Sequence, residues 1–568
     1  MIVIREKYCD IYYMKNQTKQ CQNCKKDFMI EPEDFAFYEK IKIPPPTWCP
    51  ECRRQRRLSW RNDFVFYNRN CDLCKRNIIS IYSPDNLQII YCNKCWWSDS
   101  WDPKSYAQDF DFSRSFFEQF KDFRTKVPAL ALVNDNNIGS TNCEYVQNVQ
   151  YSKDCYMTMV SWKLENCMYF SYGAHAKDAI DCMGIFNTSE GIYEVLYSDK
   201  CFGSKYIQQS SDLMNCYFCH SCRDCSHCFM CVGLRSKKYC IKNIQYKKEE
   251  YETIINSYLL GTWSGVEKAK KEFNEFLLKQ PHRFASLISC SHCTGHNLSN
   301  GKNSQNVFHT HNSEDSKYLE NGDTEKESYD LCVGGELFQC YESLTPDHST
   351  RALFTNYVWK SLDVLYSDFC MSCQECFGCV GLKHSKYSIF NKEYSKEEYL
   401  SLKNKIIEHM EKTGEWGEFF PASCSPFAYN ETMAMVSFPL SKEEVLEKGL
   451  KWQDNIQQTK GKTTLLQVPD SINDISDSIT EEILECPICK RNYKITSDEL
   501  NFYRKWKIPI PRFCFFCRLE NRFNLRGPSK LWHRKCMKEG CTNEFETSYS
   551  PDRPEIIYCE KCYQQEVY

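Results

Sequence analysis

The chain is expected to be multidomain and mostly β with some helices: a duplicated, β-solenoid-like repeat body flanked at both ends by paired-cysteine modules. Three observations predict this. Cysteine pairs near the start (Cys21, Cys24, Cys49, Cys52, Cys71, Cys74, Cys92, Cys95) are echoed near the end (Cys486, Cys489, Cys514, Cys517, Cys536, Cys541, Cys559, Cys562). Between them, Cys222–Tyr251 matches Cys370–Tyr399 at an offset of 148 residues. Finally, short polar-Cys-aromatic units recur, among them Lys153-Asp-Cys-Tyr156, Glu165-Asn-Cys-Met168 and Met214-Asn-Cys-Tyr217. Short strands separated by Asn, Asp, Ser and Gly are the cadence of stacked rungs. The irregular spacing leaves packed β-meanders as the competing arrangement.

Each end module places two C-x2-C pairs 24 residues apart, then C-x2-C or C-x4-C followed about 17 residues later by C-x2-C. Such knuckles close tetrahedrally on Zn2+, so sixteen of the 38 cysteines are read as ligands of about four structural zinc ribbons, each with four thiolates on its metal. Four thiolates leave the metal no open position. The ligands pair sequentially, 21/24/49/52 and so on, or cross over with the next four.

Composition sets the frame. At 568 residues the chain is long enough for three to five domains. The first residues lack a basic segment and apolar stretch of a signal peptide, and no run of 18 apolar residues appears, so a cytoplasmic, soluble protein without a membrane partner is expected. In a reducing compartment so many thiols favour metal over disulfides. Residues 1–100 carry 17 Lys+Arg against 12 Asp+Glu and residues 481–568 carry 16 against 13, which leaves the middle at about −11. An acidic body with mildly basic ends argues against a protein that wraps nucleic acid, while leaving room for contacts from the ends.

The order along the chain is then a paired zinc-ribbon module (15–100), a helical connector (101–140), a first Cys/Tyr repeat copy with a C-terminal helix (141–280), a second (281–425), a connector and linker (426–482) and a second ribbon module (483–568). Ser113 to Phe123, closed by Pro128, predicts a short helix. Ser395-Lys-Glu-Glu398 is a capping box opening a helix with Tyr399, Leu402, Ile406 and Met410 on one face. The first copy is expected to continue similarly from Lys247 to about Leu278, and residues 455–482, rich in Ser, Thr, Asp and Gln, read as a linker.

Sliding the chain by 465 residues superposes Phe37, Tyr38, Lys40, Pro46 and Arg53 on Phe502, Tyr503, Lys505, Pro511 and Arg518, together with the flanking cysteines. These residues resemble the bacterial probable zinc-ribbon domain family, whose pattern is a knuckle, an aromatic-Tyr-x-Lys segment, a proline and C-x2-C-R. The layout as a whole is similar to large uncharacterised Cys/Tyr-rich zinc-ribbon proteins of bacterial genomes. The resemblance covers about 40 residues at each end, implies zinc and carries no established activity. The second knuckle pair departs from it.

Two further features invite a functional reading. Arg53, Arg57 and Arg61, copied at Arg518, Arg522 and Arg526, would line one helix face, either gripping phosphates of a nucleic acid or forming a solvated face paired with local acids. Cys216 to Cys231 recur every third residue, and Cys370, Cys373, Cys376 and Cys379 repeat the pattern. Cys222, Cys225, Cys228, Cys231 and these four are candidate additional metal ligands. An iron–sulfur cluster is the less favoured alternative, because the last interval lacks the ferredoxin x3 step and its proline. Unmetallated, packed thiols are the third reading. Cys290, His292, Cys293 and His296 form another candidate group. No nucleophile motif, Walker loop, H-E-x-x-H or Rossmann fingerprint occurs, and no catalytic residue is assigned. The expectation is a non-enzymatic zinc-binding scaffold or binding protein whose ribbons contact RNA, another nucleic acid or another macromolecule. The alternative is a redox or electron-transfer protein using the central rows.

Overall fold

The computed structural model describes residues 16–134, 139–465 and 467–567. The opening residues read for a signal peptide thus lie outside the described residues. The chain divides into two compact units, each assembled from two separate stretches. Unit 1 joins residues up to Ala131 to Leu287–Ile456, and unit 2 joins Leu132–Ser286 to Gln457 onwards. The N-terminal cysteine module therefore shares a unit with the second Cys/Tyr-rich stretch, and the C-terminal module with the first. Among the described residues no helix is long and apolar enough to cross a membrane.

Large parallel sheets form the body of both units. In unit 2 the strands Thr141–Glu144, Lys153–Tyr156, Glu165–Met168 and Ala176–Ile180 pair in parallel, with Thr141 against Lys153, Glu165 against Lys153 and Glu165 against Lys177. A register of 12 residues recurs in unit 1, where Thr350 faces Leu362, Leu362 faces Gln374 and Gln374 faces Lys386. Within each 12-residue period the backbone turns every third residue. From Asn142 to Asp181, fourteen such residues have φ between 48° and 58°.

That left-handed conformation explains the polar-Cys-aromatic units. Asn and Asp tolerate positive φ better than other side-chain-bearing residues. Asp154, Asn166, Asp181 and Asn215 take it, and the cysteine that follows points inward. Inward positions thus recur every three residues: Cys143, Val146, Val149, Cys155, Leu164, Cys167, Phe170, Ala176 and Ala179 are all buried in one core. Cys, Ala and Val predominate at these positions in this core, with Leu164, Phe170 and Leu213 among them.

Inward cysteines and serines also satisfy the backbone. Cys219 directs its thiol at Tyr217 O (3.6 Å) and Cys228 O (3.7 Å). Ser343 Oγ donates to Tyr341 O and Ala352 O at the same two offsets, both at 3.0 Å. Serine is therefore the matched replacement. Cys219→Ser is expected to cost less than about 1 kcal/mol, whereas Cys219→Leu overpacks the interior by roughly 1 to 3 kcal/mol. Urea midpoints of the two variants check the ordering.

One inward residue breaks the pattern. Glu325 is buried in unit 1, its carboxyl pushed well above the usual range by burial and by the neighbouring Asp323. It occupies space that a glycine provides: a Cβ at Gly322 would lie 1.9 Å from Glu325 Oε1. A carboxyl with a raised folded pKa destabilises increasingly as pH climbs above the unfolded value of about 4.3. Glu325→Gln should be the more stable form at pH 8 by on the order of 1 to 3 kcal/mol, with the difference vanishing near pH 4. Paired denaturation curves at the two pH values test this.

The helices follow their caps. Ser115 caps Phe116–Lys126, and the Ser395–Glu398 box opens Lys396–Thr413, which buries Tyr399, Ile406 and Met410. The single helix expected over 247–278 is instead two, Lys248–Ser257 and Trp263–Leu277. Leu259 turns left-handed between them and Thr262 caps the second. The expected linker at 455–482 is also more structured than its composition suggests. Ile472, Ile475 and Ile479 are buried, and Ser471 bridges to Thr262. Their spacing is helical, but it falls across the short turns Ile472–Asp474 and Asp477–Thr480, too brief a pattern to stand out from a polar background.

Candidate metal centres

Each cysteine module begins as a hairpin. Gln17–Gln20 pairs antiparallel with Asp27–Ile30, and Tyr67–Asn70 with Asn77–Ser80. At the tip, a lysine with φ near 61° closes the knuckle: Lys25, Lys75 and Lys490. Lys25 N donates to Cys21 O at 2.9 Å, as Lys75 N does to Cys71 O. The fourth module, with two more residues between Cys536 and Cys541, closes with Gly540 at φ 76°. The second pair of each quartet starts a helix. Cys49 precedes Pro50–Leu58, Cys92 precedes Asn93–Trp96, and Cys514 precedes Phe515–Arg526.

These elements gather the sulfurs into four quartets, Cys21/Cys24/Cys49/Cys52, Cys71/Cys74/Cys92/Cys95, Cys486/Cys489/Cys514/Cys517 and Cys536/Cys541/Cys559/Cys562, each with all sulfurs within 4.8 Å of one another. The grouping is sequential and does not cross over. Four groups could thus hold a metal ion. The fit is testable by geometry, because a tetrahedron with Zn–S bonds of about 2.3 Å has edges of about 3.8 Å. The closest sulfur pairs approach that edge, at 3.8 Å for Cys24–Cys49, 3.9 Å for Cys74–Cys92, 3.7 Å for Cys486–Cys517, 3.5 Å for Cys489–Cys514 and 3.9 Å for Cys541–Cys559.

Donors surround the sulfurs, as thiolates require. Cys49 N reaches Cys21 Sγ at 3.2 Å, Cys92 N reaches Cys71 Sγ at 3.2 Å, and Asn23 Nδ2 reaches Cys52 Sγ at 3.3 Å. Cys49 and Cys52 share a proton, which holds Cys49 down and pushes Cys52 well up, while the Arg76 side chain holds Cys74 at about 6. The N–H donors and the arginine favour the deprotonated, metal-binding form.

The arginines lie elsewhere than expected. Arg53, Arg57 and Arg61 are buried, with relative exposures of 2%, 1% and 2%. Arg53 Nη2 pairs with Asp330 Oδ2 at 2.7 Å and Arg57 Nη1 with Asp330 Oδ1 at 3.0 Å, while Glu342 lies 3.4 Å from both guanidinium groups. Arg56 joins Glu342 at 3.3 Å and Glu418 at 2.7 Å, and Arg61 pairs with Asp63 at 2.8 Å. In unit 2, Arg518 meets Asp181 at 2.6 Å, Arg522 meets the other oxygen of Asp181, and Arg526 lies half-buried over Tyr172 and Phe523. Burial lowers the pKa of Arg53 and Arg518, but Asp330 and Asp181 outweigh it and hold both guanidinium groups well above their ordinary value. The phosphate-contacting reading is therefore corrected. Arg53, Arg57, Arg518 and Arg522 face the protein's own carboxylates because the knuckle helices turn that face toward the parallel strands, whereas Arg61, expected on the same helix face, lies past the end of Pro50–Leu58 and pairs with Asp63.

The aromatic-Tyr-x-Lys segments lie on the same faces. Phe37 stacks on Tyr329 at 3.9 Å, Tyr38 meets Tyr341 edge-on at 5.6 Å, and Lys40 pairs with Glu327 at 2.5 Å. Their counterparts do the same in unit 2, with Tyr503 on Tyr193 at 5.9 Å and Lys505 on Asp178 at 2.6 Å. The shared motif beyond the cysteines is thus a docking face. Its acceptors, Asp330, Glu342 and Asp181, went unrecognised in the sequence, where isolated acids in a polar stretch carry no distinguishing signal.

The central rows have a packing explanation. Cys222, Cys225, Cys228 and Cys231, like Cys370, Cys373, Cys376 and Cys379, are consecutive inward residues, buried in the two cores. Their thiols point at backbone carbonyls, for example Cys222 at Cys231 O (3.5 Å) and Cys373 at Leu382 O (3.5 Å). The period of three that resembles a ferredoxin run reports a backbone step. Among the described residues, neither these rows nor Cys290, His292, Cys293 and His296 form a group gathered like the four quartets.

No family model matches the chain, and no curated protein matches it. Among solved structures, one similar chain is described as "Crystal structure of putative acetyltransferase from Desulfovibrio desulfuricans G20". It is 10% identical and covers 49% of this chain and 80% of its own length, at a TM-score of 0.10. A likeness at that level carries no argument about fold or activity.

Proposed function

We propose that this is a non-enzymatic, zinc-dependent scaffold protein. Its ribbons, related to the bacterial zinc-ribbon domain family, hold two duplicated β-solenoid bodies in place and present rigid surfaces to a macromolecular partner. The observation that carries the reading is the gathering of four sulfurs in each quartet within 4.8 Å of one another, with closest pairs of 3.5 to 3.9 Å that suit the edges of a tetrahedron of thiolates around zinc. All-thiolate sites select Zn2+ or iron over harder cations, and their closed coordination suits structure over catalysis. The 12-residue register and the inward position at every third residue support the solenoid reading, and the repetition of the same docking face in both units supports duplication. The redox alternative draws no support from the central rows, whose thiols are buried and directed at carbonyls. Elemental analysis of protein purified without added metal tests the proposal. About four zinc per chain in a colourless solution is expected. Iron with acid-labile sulfide, or metal well below four per chain in folded protein, would sink it.

A further inference from the structure

Two thiols of the parallel bodies differ from the buried rows. Cys290 and Cys293 are partly exposed, whereas the cysteines from Cys143 to Cys240 and from Cys332 to Cys379 are buried. The reason is their place in the sheet of unit 1, which begins at the edge strand Leu287–Ile288. The period containing Cys290 and Cys293 is therefore covered by strands on one side. Ser289 and His292 are left-handed, so the two cysteines occupy adjacent inward positions around one corner, and both pack against the same core. Cys290 directs its thiol at Ile288 O (3.3 Å) and Leu298 O (3.5 Å), and Cys293 at Ser291 O (3.3 Å).

We propose that Cys290-Ser-His-Cys293 is a redox-active dithiol that exchanges with an external disulfide, separately from the metal-binding cysteines. The Cys293 thiolate attacks one sulfur of the external disulfide, forming a mixed disulfide and expelling the first thiolate. Cys290 then attacks Cys293 Sγ, closing the Cys290–Cys293 bond and releasing the second thiolate. The protons given up by the two cysteines end on the two released thiols. The dithiol is oxidised by two electrons and the external disulfide is reduced to two thiols. The roles follow from the local chemistry. Cys290 has two carbonyl acceptors to keep its proton, Ile288 O and Leu298 O, whereas Cys293 has one, Ser291 O, and follows the exposed His292, whose charge favours its thiolate. A thiol poised near ambient pH is the better attacking group, and the protonated partner serves as resolving group.

The test is titration of the full-length, metal-loaded protein with glutathione disulfide, followed by peptide mapping and by chromogenic assay of released metal. A Cys290–Cys293 disulfide should form while the metal stays bound and while Cys219 and Cys222 remain unmodified. Cys290→Ser should trap glutathione on Cys293, and Cys293→Ser should trap at least tenfold less on Cys290. Retention of full metal content by both variants shows that they fold, since serine occupies equivalent inward positions at Ser304 and Ser328. A disulfide that appears only after metal release, or equal trapping by the two folded variants, would overturn the proposal.

Discussion

Replacing Cys49 by serine is expected, on the proposed four-zinc reading, to lower the bound metal from four per chain to three and to unfold the module around the first quartet, leaving the other three quartets loaded. Apparent zinc affinities of about 10 to 16 kcal/mol per site appear as folding free energy in small modules. That exceeds what the short hairpin Gln17–Gln20/Asp27–Ile30 and the nine-residue Pro50–Leu58 helix can supply by themselves. Because Cys49 and Cys52 open the helix that carries Arg53, Arg56 and Arg57, metal loss should also release the docking face on the sheet of unit 1. Metal analysis gives the stoichiometry, and hydrogen exchange over residues 329–344 reports the loss of cover. Full metal content in folded Cys49→Ser protein would show that the quartet does not act as a unit.

Removing the carboxylate of Asp330 should have the next largest effect. Asp330 accepts from Arg53 and pairs with Arg57, and its side chain is fully buried. Asp330→Asn leaves two guanidinium groups facing Glu342 as their shared acid. Breaking a buried pair from one side typically costs about 3 to 5 kcal/mol, since the charge left behind has lost both water and partner. A denaturation midpoint that falls accordingly, with metal content unchanged, is the expected outcome. Replacing Arg53 and Arg57 by methionine together with Asp330→Asn should recover part of the loss, because it removes the stranded charges. Equal stability of Asp330→Asn and the unaltered protein would mean that the network is solvated. The triple charge reversal of Arg53, Arg57 and Arg61 to Glu should likewise lower the midpoint, whether or not RNA is present.

Some of this is legible in the residues. The quartets are, because a metal-binding knuckle needs two thiols at a fixed short spacing, and Cys21, Cys24, Cys49 and Cys52 state that requirement locally. The helices at Phe116–Lys126 and Lys396–Thr413 are legible for the same reason, since a capping box and an apolar stripe are short-range signals. The cysteine rows are visible but misleading. A period of three belongs both to metal-binding runs and to a backbone that turns every third residue, and φ is not written in composition.

The arginine stripe shows the same limit for charge. The spacing of Arg53, Arg57 and Arg61 predicts one helix face, but the helix ends at Leu58, Arg61 turns to its neighbour Asp63, and what Arg53 and Arg57 meet depends on Asp330 and Glu342, far away in sequence. The N-terminal module shares a unit with the second Cys/Tyr-rich stretch, and the C-terminal module with the first, through pairings that no local pattern announces. The cysteine quartets and the caps can be read along the chain, because each rests on contacts between near neighbours. Which thiols are buried, which acids receive the arginines and where the chain pairs with itself emerge with the fold alone, because burial and long-range charge pairing depend on what folding brings together.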